Sequence, residues 1–276
     1  MLEIKNRGPY NQLLIISLIS LTLLGGTIER IERELYGVKP GVHLEEMDIS
    51  CYLPRELMPI LEEMAARSQT FPIEPAFNKD GKIVSGADGS TLDVEATMDM
   101  VLAAPRGKRI TPVYIKTPPG HNEKDLKGIN QVIGRYATLD EGSQARKHNM
   151  NLACQTLNFS VVWPEETFSF NKVVGPPTEE YGYYAAPIML DEEMVPGVGG
   201  GVCQVATTLY NAVKVAQLPV VERHVHSGKV YYVPEGLDAA IAYDYMDFKF
   251  KNNKRYPVVI KSYLGAHQIK VEILGK

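Results

Sequence analysis

Apolar positions recur along this chain with two rhythms, and one segment follows neither. Residues 13–24 (LLIISLISLTLL) carry no charge, and Gly25, Gly26, Thr27 and Ile28 extend the run to sixteen residues. That is longer than many signal-peptide cores but short of the ~20 residues a helix needs to cross a bilayer comfortably. Helical spacing follows in Pro54–Arg67, with Leu57, Ile60, Leu61 and Met64 on one stripe, and in Val94–Ala104, which ends before Pro105. Ala145–Leu157 and Val202–Gln217 read the same way, the latter with Val202, Val205, Leu209, Val213 and Ala216 at steps of three and four. Strand-like stretches are Val42–Ser50, Thr111–Thr117, Glu166–Phe170, Val220–His226, Lys229–Val233, Ala239–Lys251, Pro257–Leu264 and Gln268–Leu274. Asn78–Gly81, between Pro72–Phe77 and Lys82–Val84, is a hairpin signal.

These elements predict an α+β chain in four parts. Residues 1–36 form an export or transmembrane segment with a helical stalk, Ile28–Tyr36. Residues 37–120 form a small α/β module. The polar stretch within 121–131 is the linker, and 132–276 form a β-rich domain with two or three helices. Lys5 and Arg7 ahead of the apolar run give the cationic start of an export signal. Glu29, Arg30 and Ile31 stand where a small-residue cleavage site would follow, so a retained membrane anchor is favoured over a cleaved signal. The run has no polar face, which argues against a buried amphipathic helix.

Composition narrows the function. An apolar fraction of 45% with 22% charged residues belongs to a folded chain rather than a disordered one. A net charge of −4, with no basic stretch, excludes nucleic acid as a partner. Cys51, Cys154 and Cys203 lie far apart and form no CxxC pair, so neither a zinc ribbon nor a disulfide framework is expected. The apolar rhythm puts Cys154 in a helix core, and Cys51 is expected to pack under the first module.

The chemistry concentrates at Gly199–Gln204. Cys203 falls in the first turn of a helix, where unpaired N–H groups and the macrodipole favour an anion, making a thiol there a better nucleophile. Gly199, Gly200 and Gly201 ahead of it allow the close backbone approach of an oxyanion-holding turn. Thr207 and Asn211 continue the Cys203 face at four-residue steps. If Val220–His226 is a strand, Glu222, His224 and His226 project from one face and Val221, Arg223 and Val225 from the other. A histidine there could take the thiol proton, and the carboxylate or second histidine could orient it. Two other readings stand beside this cysteine acyl-transfer site. One is a binding module whose glycines, Thr207 and Thr208 form a ligand groove. The other is a metal held by Cys203, His224 and His226, with Glu222 the nearest fourth ligand.

Several motifs occur in order: ETFSFN at Glu166–Asn171, Val174–Gly175, Gly182–Tyr183, GGGVCQVATTLYNA at Gly199–Ala212, ERHVHS at Glu222–Ser227 and DFKFKN at Asp247–Asn252. Together they resemble the VanW domain family over about residues 132–275, and the upstream segment resembles the peptidoglycan-binding module that often precedes such domains. The resemblance implies a cell-envelope location in Gram-positive-type bacteria, on the extracellular face of the membrane, with peptidoglycan or its stem peptides as partner. It also implies cysteine-dependent transfer of the L,D-transpeptidase kind, with Cys203 as nucleophile, His226 as its partner, and His224 and Glu222 in support. Gly199, Gly200, Gly201, Gln204, Thr207, Thr208, Asn211 and Arg223 would meet the substrate. No cofactor is implied. The sequence departs from the family pattern at Glu165, Pro176–Pro177 and Ala206.

Overall fold

The computed structural model describes residues 26–190 and 193–276. The apolar run 13–24, and with it the expected anchor, lies outside them. No helix among the described residues is long and apolar enough to cross a membrane. The expected stalk is helical, as α1 (26–36). The described residues divide into two compact units, 26–73 with 88–118 and 74–87 with the described part of 119–276.

In the first unit, β1 (His43–Leu44) and β2 (Met47–Asp48) close a tight antiparallel turn through Glu45, whose φ is 52°. The single strand expected over Val42–Ser50 is therefore two short ones. α2 (Pro54–Ser68) buries Leu57 and Leu61 against Met98 and Val101 of α3 (Val94–Ala103). The Arg33 guanidinium of α1 reaches both Glu56 oxygens at 2.8 Å and the Cys51 carbonyl at 3.0 Å. Cys51, expected in the core, is exposed: its own backbone turns outward at φ 64°. A strand β6 (Arg109–Ile110) runs parallel to β1, and β5 (Gly89–Leu92) pairs with β7 (Tyr114–Thr117).

The second unit takes in the hairpin β3 (Ala76–Phe77) and β4 (Ile83–Val84), turned at Asn78–Gly81. Phe77 meets Phe159 ring to ring at 6.0 Å. The stretch 121–131, expected as a linker, is built into this unit. α4 (Glu123–Leu126) is capped by Asn122 and Asp125, and Leu126 is buried. A four-stranded antiparallel sheet follows, in the order β8 (Gln131–Leu139), β16 (Gln268–Gly275), β15 (Val258–Leu264), β9 (Ser160–Val162). Helices α5 (Gln144–Leu157) and α7 (Val202–Val215) pack on it.

The core joins Met150, Ala153 and Leu157 of α5, Val205, Leu209 and Val213 of α7, and Ile260, Ile269, Val271 and Ile273 of the sheet. Burial pushes the Cys154 thiol up to about 12, as befits a core cysteine. Gly134 of β8 lies directly under the Ala212 carbonyl, so α7 crosses the sheet where no side chain intervenes. A second sheet orders β10 (Thr167–Ser169), β14 (Lys249–Lys251) and β13 (Val220–Glu222), next to the short α6 (Phe170–Val174). The hairpin β11 (Ala185–Leu190) and β12 (Glu193–Val198) leads into the glycine turn before α7. The α+β class holds, with the strands distributed over several small sheets.

Candidate functional site

The glycine turn is fixed from three sides. Gly199 and Gly201 take φ of 86° and 108°, a region strained for any side chain. A Cβ on Gly200 would lie 2.6 Å from the Pro187 carbonyl oxygen and 2.7 Å from that of Ala186, so the turn rests on the β11 backbone. Asn149, fully buried on α5, donates from Nδ2 to the carbonyls of Gly200 (3.1 Å) and Tyr184 (2.9 Å) and accepts the Tyr184 N–H on Oδ1. The Val202 and Gln204 N–H groups close onto Gly199 and Gly201. Cys203 thus emerges in the first turn of α7 from a rigid base, and it is partly accessible.

One face of α7 holds an extended segment beside it. Cys203 Sγ donates to the Ile241 carbonyl (3.5 Å), and Thr207 Oγ1 donates to the Ala239 carbonyl while accepting the Ala239 N–H (3.2 and 2.9 Å). Asn211 Nδ2 donates to Leu237 (2.7 Å). Four helical residues rise about 6 Å and two extended residues about 6.6 Å, so helix positions 203, 207 and 211 stay in step with chain positions 241, 239 and 237. The expected four-residue face is present, but it binds protein. Thr207 and Asn211, predicted to meet substrate, are buried and occupied in this tether. Thr208 is buried as well, bonded to Thr138 and the Gln204 carbonyl. Gln204 is likewise committed, tying Arg146, Thr138 and the Leu139 carbonyl to the helix.

Because the tethered residues alternate, Asp238 points away from α7, toward His226. Its Oδ2 accepts the His226 N–H and ring Nδ1–H, both at 2.7 Å. The two side chains are only 9% and 10% exposed. With Nδ1 taken by the carboxylate, Nε2 is the nitrogen left for the Cys203 thiol. Burial opposes the charged ring, but the Cys203 hydrogen bond and charge, then those of Asp238, outweigh it and raise the His226 pKa. Burial likewise opposes the Asp238 anion, and His226 outweighs it, so that carboxyl titrates lower than usual. A thiol, an imidazole and a carboxylate therefore stand in series, as a nucleophile, its base and the base's orienter must.

Glu222 and His224 are not part of that series. Strand β13 ends at Glu222, and a bulge at Val221 shifts its register against β14, so the chain does not carry its two-residue alternation on to His226. His224 Nε2 turns to Glu222 Oε1 (3.0 Å), and Lys249 binds Oε2 (2.7 Å). Lys249 first and His224 next hold the Glu222 carboxyl down to about 2. The histidine pair is split between two carboxylates, so the three-ligand set of the alternative metal reading does not assemble. No other group of His, Cys, Asp and Glu suited to a metal occurs among the described residues. Arg223, also expected at substrate, grips Asp238 instead, with Nε on its carbonyl (2.7 Å), Nη2 on Oδ1 (3.4 Å) and the guanidinium over the Tyr210 ring. It holds Asp238 in place. The phenol of Tyr232 stands within electrostatic reach of the thiol. Burial, then the Cys203 charge, push that phenol's pKa above its ordinary range.

A family model described as VanW like protein matches residues 145–274, the part of the chain that supplies Cys203, His226, Asp238 and Arg146. The Bacillus subtilis (strain 168) protein YoaR, described as uncharacterized, is 34% identical over 252 residues, covering 88% of this chain and 80% of its own. The chain belongs to the VanW-like family. The Vancomycin B-type resistance protein VanW of Enterococcus faecalis is 29% identical over 110 residues of this VanW-like chain, 38% of it and 40% of that relative. No solved structure matches.

Proposed function

We propose that this VanW-like chain is an envelope-anchored cysteine acyltransferase acting on peptidoglycan stem peptides. The observation that carries this reading is the Cys203–His226–Asp238 series, set on a glycine turn and nearly closed to water at its basic end. In the reaction, the Cys203 thiolate attacks a stem-peptide carbonyl carbon. The oxyanion meets the Cys203 N–H and the turn before it, whose neighbours Val202 and Gln204 are already engaged. The carbon–nitrogen bond then breaks, and the leaving amine takes a proton from His226, giving a thioester on Cys203. The amine of a second stem, losing its proton to His226, attacks that thioester and releases the thiolate. Asp238 holds the ring's tautomer and stabilises the imidazolium throughout.

The relative named for vancomycin resistance supports a place in the cell wall, where such peptides are found. The cationic, apolar N-terminus supports export and membrane attachment. Cys203→Ala should leave the fold intact by circular dichroism and abolish cross-linking of purified muropeptides. Full activity in that variant overturns the reading. Sacculus binding that persists after Cys203 is alkylated, with no cross-linked product from the unmodified protein, would instead establish a binding module.

A further inference from the structure

Resting on the acyl-transfer reading, we infer that Arg146 binds the free C-terminal carboxylate of the donor peptide, so that the site acts on the last peptide bond of a stem rather than inside a chain. Arg146 lies against the turn that presents Cys203: a Cβ on Gly201 would meet its Cγ at 3.1 Å and its carbonyl oxygen at 3.2 Å. On the other side of Cys203, its Nη2 donates to Gln204 Oε1 at 2.9 Å. Gly201 and Gln204 flank Cys203 in the first turn of α7, so Arg146 lies at the same end of that helix as the thiol.

The charge of Arg146 is unmet. Among the described residues no carboxylate pairs with it, and its Nε–H is buried with no acceptor. The next residue, Lys147, has its own partner in Asp140 at 3.3 Å, so the segment before α5 supplies an acidic partner to Lys147 and none to Arg146. A partly buried guanidinium with open donors is the group best shaped to take a carboxylate two-pronged. Gln204 fixes one edge of the fork and leaves the rest for a ligand. Substrate binding would thus supply the missing anion, and the amino acid released on thioester formation would be the one carrying that carboxylate.

The test uses the full chain with Cys203→Ser, to prevent turnover, and two synthetic tetrapeptide stems that differ only in a C-terminal carboxylate or carboxamide. Calorimetry should give at least tenfold tighter binding of the carboxylate. Adding Arg146→Gln should abolish that preference, and Arg146→Lys should keep part of it. Equal binding of the two peptides, binding of neither, or an undiminished preference in Arg146→Gln overturns the inference. The two readings fail separately. Carboxylate-selective binding with no thioester on intact Cys203 removes acyl transfer and leaves Arg146 as a recognition residue. Equal thioester formation from both peptides does the reverse.

Discussion

His226 and Asp238 give the site a pH signature. His226 has a raised pKa, so its contribution to stability is complete below about 6.5 and is lost as pH rises through its folded value. Asp238 has a lowered pKa, so its contribution is complete above its unfolded value of 3.8 and is lost as pH falls through the folded one. The pair is worth most between those limits. Replacing Asp238 with Asn removes the carboxylate that stabilises the imidazolium. The His226 ring resonances in an NMR titration should then move their midpoint to lower pH, and acyl transfer should fall at least tenfold. An unmoved midpoint would mean that the carboxylate does not orient the ring. Cys203 was legible from its glycines and its helix start, and His226 from its place in ERHVHS. Asp238 was not, because it comes from an irregular segment twelve residues beyond His226, where no periodicity announces a face. Glu222 was misread for the opposite reason: its alternation with the histidines is regular in sequence, and the bulge at Val221 breaks it in space.

At the scale of elements, α7 serves as a ruler for the segment Leu237–Ile241. Thr207 gives that segment both a donor and an acceptor. Thr207→Val keeps the shape but strands the Ala239 N–H and C=O, and should cost about 1–3 kcal/mol in urea unfolding, with faster amide exchange at Ala239. Unchanged stability would return Thr207 to the role of a ligand contact. Gly201→Ala faces both a φ of 108° and Met150 Cγ at 2.8 Å, and should cost about 1–3 kcal/mol, with slower Cys203 alkylation as the turn shifts. Helices α2, α3, α5 and α7 were legible to within a residue or two, because each has an apolar stripe that meets the core of its own unit. The short α4 and α6 have no such stripe and were not. The strands were less so. The run at Lys229–Val233 has strand-like composition yet forms no strand, and most of Ala239–Lys251 is held by α7 and by single bridges rather than by a ladder. The hairpin β11–β12 lay hidden among prolines and glycines, residues that ordinarily mark turns.

Over the whole molecule, the chain enters its second unit at residue 74, leaves it at 88 and returns at 119. A single boundary near 121–131 was the natural reading of one polar stretch, and no composition signal betrays the earlier visit by β3 and β4. That hairpin is held by Phe77 on Phe159, and by Glu74, which accepts the N–H groups of Gly120 and His121. Phe77→Ala should therefore loosen the second unit by on the order of 1 kcal/mol and leave amide exchange in the first unit unaltered. Equal changes in both units would contradict the division. The most direct test of the central claim is intact-protein and peptide-map mass spectrometry after brief exposure to a stem tetrapeptide. A thioester adduct confined to Cys203, absent in Cys203→Ala and scarce in Asp238→Asn, is the predicted result. Cross-linking activity with no adduct on Cys203, or its survival in Cys203→Ala, would contradict it.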